Sequence, residues 1–238
     1  MRVIITKNEQ EMGKLAGQYL LGVMLSKQDR VNVSITAGKT PKEVYKYLIE
    51  EVKGKEYLRH VHYYNFDEIP YVTEDKPGVT MRDLTKMFFA PAEIDKENIH
   101  PLSEHNYAEQ DEKIANAGGL ECMLLGIGVD GHYCGNLPET TKYEDKTVKV
   151  MFTPAIKERV SVLYENKEEV PDYHVTMGPT SVMAARQLIL IANGKHKAEI
   201  VKEFLEGEIS RKYPATILKM HPNLTVILDE DAASLLGK

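Results

Sequence analysis

The sequence predicts an α/β protein: one mainly parallel, doubly wound (Rossmann-like) sheet with helices on both faces. Two observations carry that reading. Short apolar runs alternate with amphipathic helical stretches from end to end of the 238 residues, and such alternation implies strand–helix–strand units and a parallel sheet. No repeat, low-complexity tract or linker interrupts the pattern, so one domain over residues 1–238 is expected.

The elements follow in order. Arg2 to Thr6 reads as a short strand, and Asn8-Glu9-Gln10-Glu11 resembles a capping box opening an amphipathic helix to about Ser26. Val31 to Thr36 is the second strand. A tight turn follows, with Thr40 fitting an N-cap, Pro41 the first helical position and Glu43 the end of a Thr-x-x-Glu box, for a helix to about Val52. Val61 to Phe66 is the third strand, ending at Asp67-Glu68. Pro70, Pro77 and Gly78 mark an irregular stretch before a helix from about Val79 to Phe89. Tyr107 to Ala117 is helical and stops at Gly118-Gly119. Leu120 to Leu125 is a strand whose apolar run, Cys122 to Leu125, reads as buried. Thr147 to Phe152 and Arg159 to Leu163 read as further strands. Gln187 to Asn193 is a strand, Lys195 to Glu206 a helix closed by Gly207, and Leu224 to Leu228 the last strand.

Composition narrows the function classes. A 42% hydrophobic content supplies a full core, and the longest apolar runs are far too short to span a bilayer. The start, Met1 to Lys7, lacks the apolar core of a signal peptide, and two cysteines make no disulfide scaffold, so the cytoplasm is the expected location. Net charge is −6 and no basic tract occurs, which argues against nucleic acid. The expected partner is a small molecule, with homo-oligomer formation left open.

Three strand ends carry chemistry, as expected where ligands bind beyond the carboxyl ends of parallel strands. The first is Thr36-Ala37-Gly38-Lys39-Thr40-Pro41, a glycine turn at a helix start that offers free amides to an anion. A nucleotide P-loop would need glycine five positions before Gly38, where Val33 stands. The second is Asn65-Phe66-Asp67-Glu68. Neighbours on an extended chain face opposite ways, so one carboxylate can serve as a base while the other caps or pairs.

The third strand end is Gly126-Ile127-Gly128-Val129-Asp130-Gly131-His132, which places an acid and a histidine straight after a glycine turn. It formally fits the dinucleotide fingerprint. However, His132 to Pro138 is a poor helix start, and no acid closes the strand about 20 residues on. His132 and Cys134 have no companions at metal-ligand spacing, so no metal or cofactor is expected. In Gly194-Lys195-His196-Lys197, lysines in a first helical turn oppose the helix dipole and suggest a local anion.

Together these segments, with Val170 to Gly178 and Leu218 to Pro222, resemble the glucosamine-6-phosphate deaminases, also called glucosamine-6-phosphate isomerases, which are related to the 6-phosphogluconolactonases. Order and spacing match over nearly the whole chain. The resemblance implies a cofactor-free isomerase and deaminase acting on a hexosamine 6-phosphate, glucosamine or galactosamine. It assigns Asp67 as the base between C2 and C1, His132 as the residue assisting ring opening and Asp130 as its orienting carboxylate. Ala37, Gly38, Lys39, Thr40 and Lys197 match the phosphate-binding elements. The family's phosphate-binding arginine has no secure counterpart, although Lys157 and Arg159 lie in the right region.

One position departs from the pattern. The deaminase loop continues to Asn-Glu-Pro, whereas this chain has Asn136-Leu137-Pro138, and leucine cannot accept a proton. Glu139 stands two positions later as a substitute, across the backbone fixed by Pro138. The lactonases also carry an apolar residue here, though their loop differs at Gly135 and Asn136. A sugar-phosphate lactone hydrolase and a non-catalytic sugar-phosphate sensor therefore stand as alternatives.

Overall fold

A computed structural model describes residues 1–73 and 76–237. Ten strands are present among them: β1 (Arg2–Thr6), β2 (Val31–Ser34), β3 (Val61–Tyr64), β4 (Asp67–Glu68), β5 (Ile99–His100), β6 (Cys122–Gly126), β7 (Val148–Met151), β8 (Tyr173–Thr176), β9 (Leu188–Ala192) and β10 (Leu224–Asp229). The helices are α1 (Glu9–Met24), α2 (Lys42–Val52), α3 (Val79–Leu84), α4 (Gln110–Asn116), α5 (Pro154–Ser161), α6 (Pro179–Met183) and α7 (Ala198–Glu206). A π-helical turn, Thr85–Phe89, prolongs α3.

Seven strands form a parallel sheet in the order β1-β10-β9-β6-β2-β3-β5. Its side chains alternate between two cores, as the two-residue strand period requires. Cys122, Leu124, Ile189, Ile191 and Ile227 face α1 and α2, while Met123, Leu125, Leu188, Leu190 and Val226 face α7 and its neighbours. Each fully buried Leu or Ile contributes about 1.5–3 kcal/mol relative to exposure. The helices thus cover both faces, as the alternating pattern predicts. The chain runs outward from β2 through β3 to β5, then returns to place β6 on the other side of β2. That reversal opens a crevice beyond the carboxyl ends of β2 and β6.

The structure corrects several readings. The strand expected to end at Phe66 stops at Tyr64, and Asp67–Glu68 joins a second, antiparallel sheet of order β4-β8-β7. Asn65 makes the break: its Nδ2 donates to Asp67 O at 2.8 Å and its Oδ1 accepts from Leu102 N at 2.7 Å. The stretch expected as a strand over Arg159 to Leu163 is mostly helix, because Thr153 caps α5 by accepting from Ile156 N and Pro154 fills its first turn. Ile156, Val160 and Tyr164 then recur at helical spacing against Val79 and Val170. Asn8 does cap α1, accepting from Glu11 N at 2.9 Å. Thr40 does not cap α2. Pro41 takes the cap position without any side-chain bond.

Candidate active site

The turn after β2 is shaped by Gly38, whose φ of +98° lies in the left-handed region that favours glycine. Among the described residues, the amides of Ala37, Gly38, Lys39 and Thr40 donate to no protein acceptor. Glu43, which a capping box would turn back onto the Thr40 amide, pairs with Lys46 instead, so that donor too stays open to a ligand. Lys197, from the turn before α7, completes this wall. Its Nζ donates to Ile127 O at 2.6 Å, and burial lowers its pKa against the nearby Asp130 charge.

The loop after β6 carries the acid–histidine pair. Asp130 Oδ1 lies 2.5 Å from His132 Nδ1, and Asp130 Oδ2 accepts from Arg159 Nη1 at 2.7 Å. Burial raises the Asp130 pKa, but the His132 hydrogen bond and charge, with the Arg159 guanidinium, hold it well below the usual carboxylate range. Gly128 makes room for the pair, since a Cβ there would lie 2.0 Å from His132 Nδ1. Cys134, two residues on, adopts a φ of +49°, is buried and lines the same crevice.

Asp67 forms the opposite wall. Its carboxyl is set deep enough that burial pushes its pKa up to about 6, against a hydrogen bond from Thr80 and the charge of His132. Glu68 points the other way and accepts from the amides of Ile69, Thr80 and Met81 at 2.8–3.0 Å. The alternation read from the sequence divides the two carboxylates as expected: one in the crevice, one anchoring α3.

These walls enclose a cavity of about 430 Å³ that touches Ala37, Gly38, Lys39, Thr40, Asp67, His132 and Lys197 together. Asp130 stands behind His132 as its partner. The sequence reading did not single out Thr80, Asp83, Leu163 or His196, which also line the cavity. Only His196 had a local signal, its place between two lysines of the glycine-led turn. Arg159 reaches the loop but holds Asp130, and Lys157 pairs with Asp172 instead. Glu139 turns away toward Arg211 at 3.6 Å and does not replace the missing loop glutamate. Among the described residues no cluster of three or more His, Cys, Asp or Glu is arranged to hold a metal ion.

A buried carboxylate, a carboxylate-oriented imidazole and a turn of open amides meet at the switch point of the sheet, an arrangement suited to proton transfer on an anionic ligand. The chain belongs to the glucosamine-6-phosphate isomerase/6-phosphogluconolactonase family, whose profile matches residues 9–227. It is 36% identical over 243 residues to the glucosamine-6-phosphate deaminase of Thermoanaerobacter pseudethanolicus, covering 99% of this chain and 95% of that one. The enzyme of the same name from Clostridium acetobutylicum is 32% identical over 244 residues, covering 99% and 100%. In fold, the chain superposes on a monomeric glucosamine-6-phosphate deaminase with a TM-score of 0.85 at 26% identity, covering 99% and 100% of the two chains. The 6-phosphogluconolactonase of Trypanosoma brucei shares the fold at a TM-score of 0.73 and 16% identity, over 99% and 98%. No helix among the described residues is long and apolar enough to cross a membrane.

Proposed function

We propose that this chain is an amino-sugar-phosphate isomerase and deaminase, converting a hexosamine 6-phosphate and water into the ketose 6-phosphate and ammonia. The observation that carries the reading is the convergence of Asp67, the Asp130–His132 pair and the open amides of the Gly38 turn on one cavity. Full-length likeness to proteins named glucosamine-6-phosphate deaminase supports it.

The phosphate is anchored by the Ala37–Thr40 amides and Lys197. His132, oriented by Asp130, exchanges the proton that opens the pyranose ring. Asp67 then takes the C2 proton, the C–H electron pair becomes the C1=C2 bond, and the aldehyde oxygen takes up a proton. Return of the proton from Asp67 to C1 leaves an imine at C2. Water hydrolyses that imine to the ketone, releasing ammonia.

The test is a substrate panel scored two ways. Ammonia release from glucosamine or galactosamine 6-phosphate is the expected result. Acid release from 6-phosphogluconolactone without ammonia would assign a lactonase. Binding of both without turnover would leave a sugar-phosphate sensor.

A further inference from the structure

A carboxylate that abstracts a proton from carbon needs one oxygen aimed at the substrate and a reason not to rotate away. Thr80 supplies that reason. Its Oγ1 donates to Asp67 Oδ1 at 3.2 Å, while no protein donor among the described residues reaches Asp67 Oδ2. Thr80 is only 7% exposed and lines the cavity, so its hydroxyl is held where it meets the base.

Glu68 does the holding. Its Oε1 accepts from Thr80 N at 2.8 Å and Ile69 N at 2.9 Å, and its Oε2 accepts from Met81 N at 3.0 Å. The first turn of α3 is thereby pinned to β4, the two-residue strand that also carries Asp67. Gly78 lets the carboxyl come this close, since a Cβ there would stand 2.4 Å from Glu68 Cδ. Adjacent residues of one strand thus fix the base twice: Asp67 by its own backbone, and its carboxyl plane through Glu68 and Thr80.

We propose that Thr80 is a positioning residue for the reaction: it occupies Asp67 Oδ1, leaving Oδ2 as the oxygen that moves the proton between C2 and C1. The inference rests on the reading of Asp67 as the base.

Two variants separate hydroxyl from packing. Thr80→Val keeps shape and removes the donor, and Thr80→Ser keeps the donor and removes a methyl. Thr80→Val is expected to lose about tenfold in kcat, on the scale of one hydrogen bond to a charged group, with KM for the sugar phosphate unchanged. The acid limb of its pH–rate profile should move upward, because the lost bond favoured the carboxylate. Thr80→Ser should retain the wild-type kcat and limb. A Thr80→Val enzyme with wild-type kcat and profile overturns the proposal, as does a Thr80→Ser enzyme equally impaired. An Asp67→Asn control tells the two levels apart: if it is inactive while Thr80→Val is normal, only the Thr80 role falls. Full activity in Asp67→Asn would remove the base assignment itself.

Discussion

Thr176 lies directly opposite Asp67 in the antiparallel pairing of β4 with β8, and its hydroxyl accepts the Gly135 amide at 2.9 Å. One residue therefore ties the strand that carries Asp67 to the loop that carries His132. The tie is reinforced on both sides. His174 Nε2 meets Gly135 O at 2.7 Å, Asn136 Nδ2 donates to Met177 O at 2.9 Å, and Met177 N donates to Phe66 O at 2.7 Å. Asp67 and His132, 65 positions apart in the sequence, are braced through a single short strand.

The first prediction concerns pH. Burial favours the neutral form of Asp67, so the base becomes available only as pH rises through about 6. The acid limb of kcat/KM should fall near that value, with activity lost below it. Asp67→Asn should bind the sugar phosphate, lose about 10²–10⁴-fold in kcat and stop solvent deuterium entering C1. Near-normal exchange in the asparagine variant would point to another base.

Lys197 should matter for affinity. Lys197→Ala is expected to weaken sugar-phosphate binding by about 1.5–3 kcal/mol, the range for hydrogen bonds to charged groups. Titration calorimetry with a hexosamine and its 6-phosphate checks it. The unphosphorylated sugar should bind weakly to both proteins, and equal affinities for the two sugars would remove the anchor.

Gly128 tests the geometry of the imidazole. In Gly128→Ala the new Cβ would need the space of His132 Nδ1 and stand 2.6 Å from Asp130 Oδ1. The pair must shift, and a displacement of about 1 Å costs on the order of 10²-fold in rate. Steady-state kinetics should show that loss in kcat, with the melting temperature showing a folded protein. Retained kcat would mean that His132 is not held by this contact.

Leu137 is 7% exposed and stands where the deaminase loop carries glutamate. Leu137→Glu is expected to raise the rate of ammonia release and alter the pH–rate profile, while lowering the melting temperature because a carboxylate enters an apolar position. A folded variant with an unchanged profile would show that the proton relay runs without position 137.

The residues that line the cavity were legible in sequence wherever their pattern is local. Glycines, an acid and a histidine follow β6 within seven residues, and the opposite facing of Asp67 and Glu68 follows from the two-residue period of a strand. Long-range pairings were not legible. β8 is four residues long and was not assigned, although Pro171 and Gly178 bracket its β-branched Val175 and Thr176. Thr80 carries no local sign of its role, because its bond to Asp67 exists only once Glu68 has docked α3. At Thr40 a good capping pattern yielded no cap, and at Arg159 to Leu163 apolar residues outweighed the Thr153-Pro154 start of α5.

The Ala37–Thr40 turn follows β2 of the seven-stranded sheet, whereas Asp67 rides on the three-stranded one. The crevice is in effect a caliper, with one jaw on each sheet and the gap fixed by how the sheets pack. A sugar phosphate one carbon shorter, seated by its phosphate in the first jaw, presents a different carbon to the second. With the proposed phosphate anchor and base, chain length is gauged by the scaffold before any hydroxyl is recognised, and substitutions at the junction of the sheets would recalibrate it.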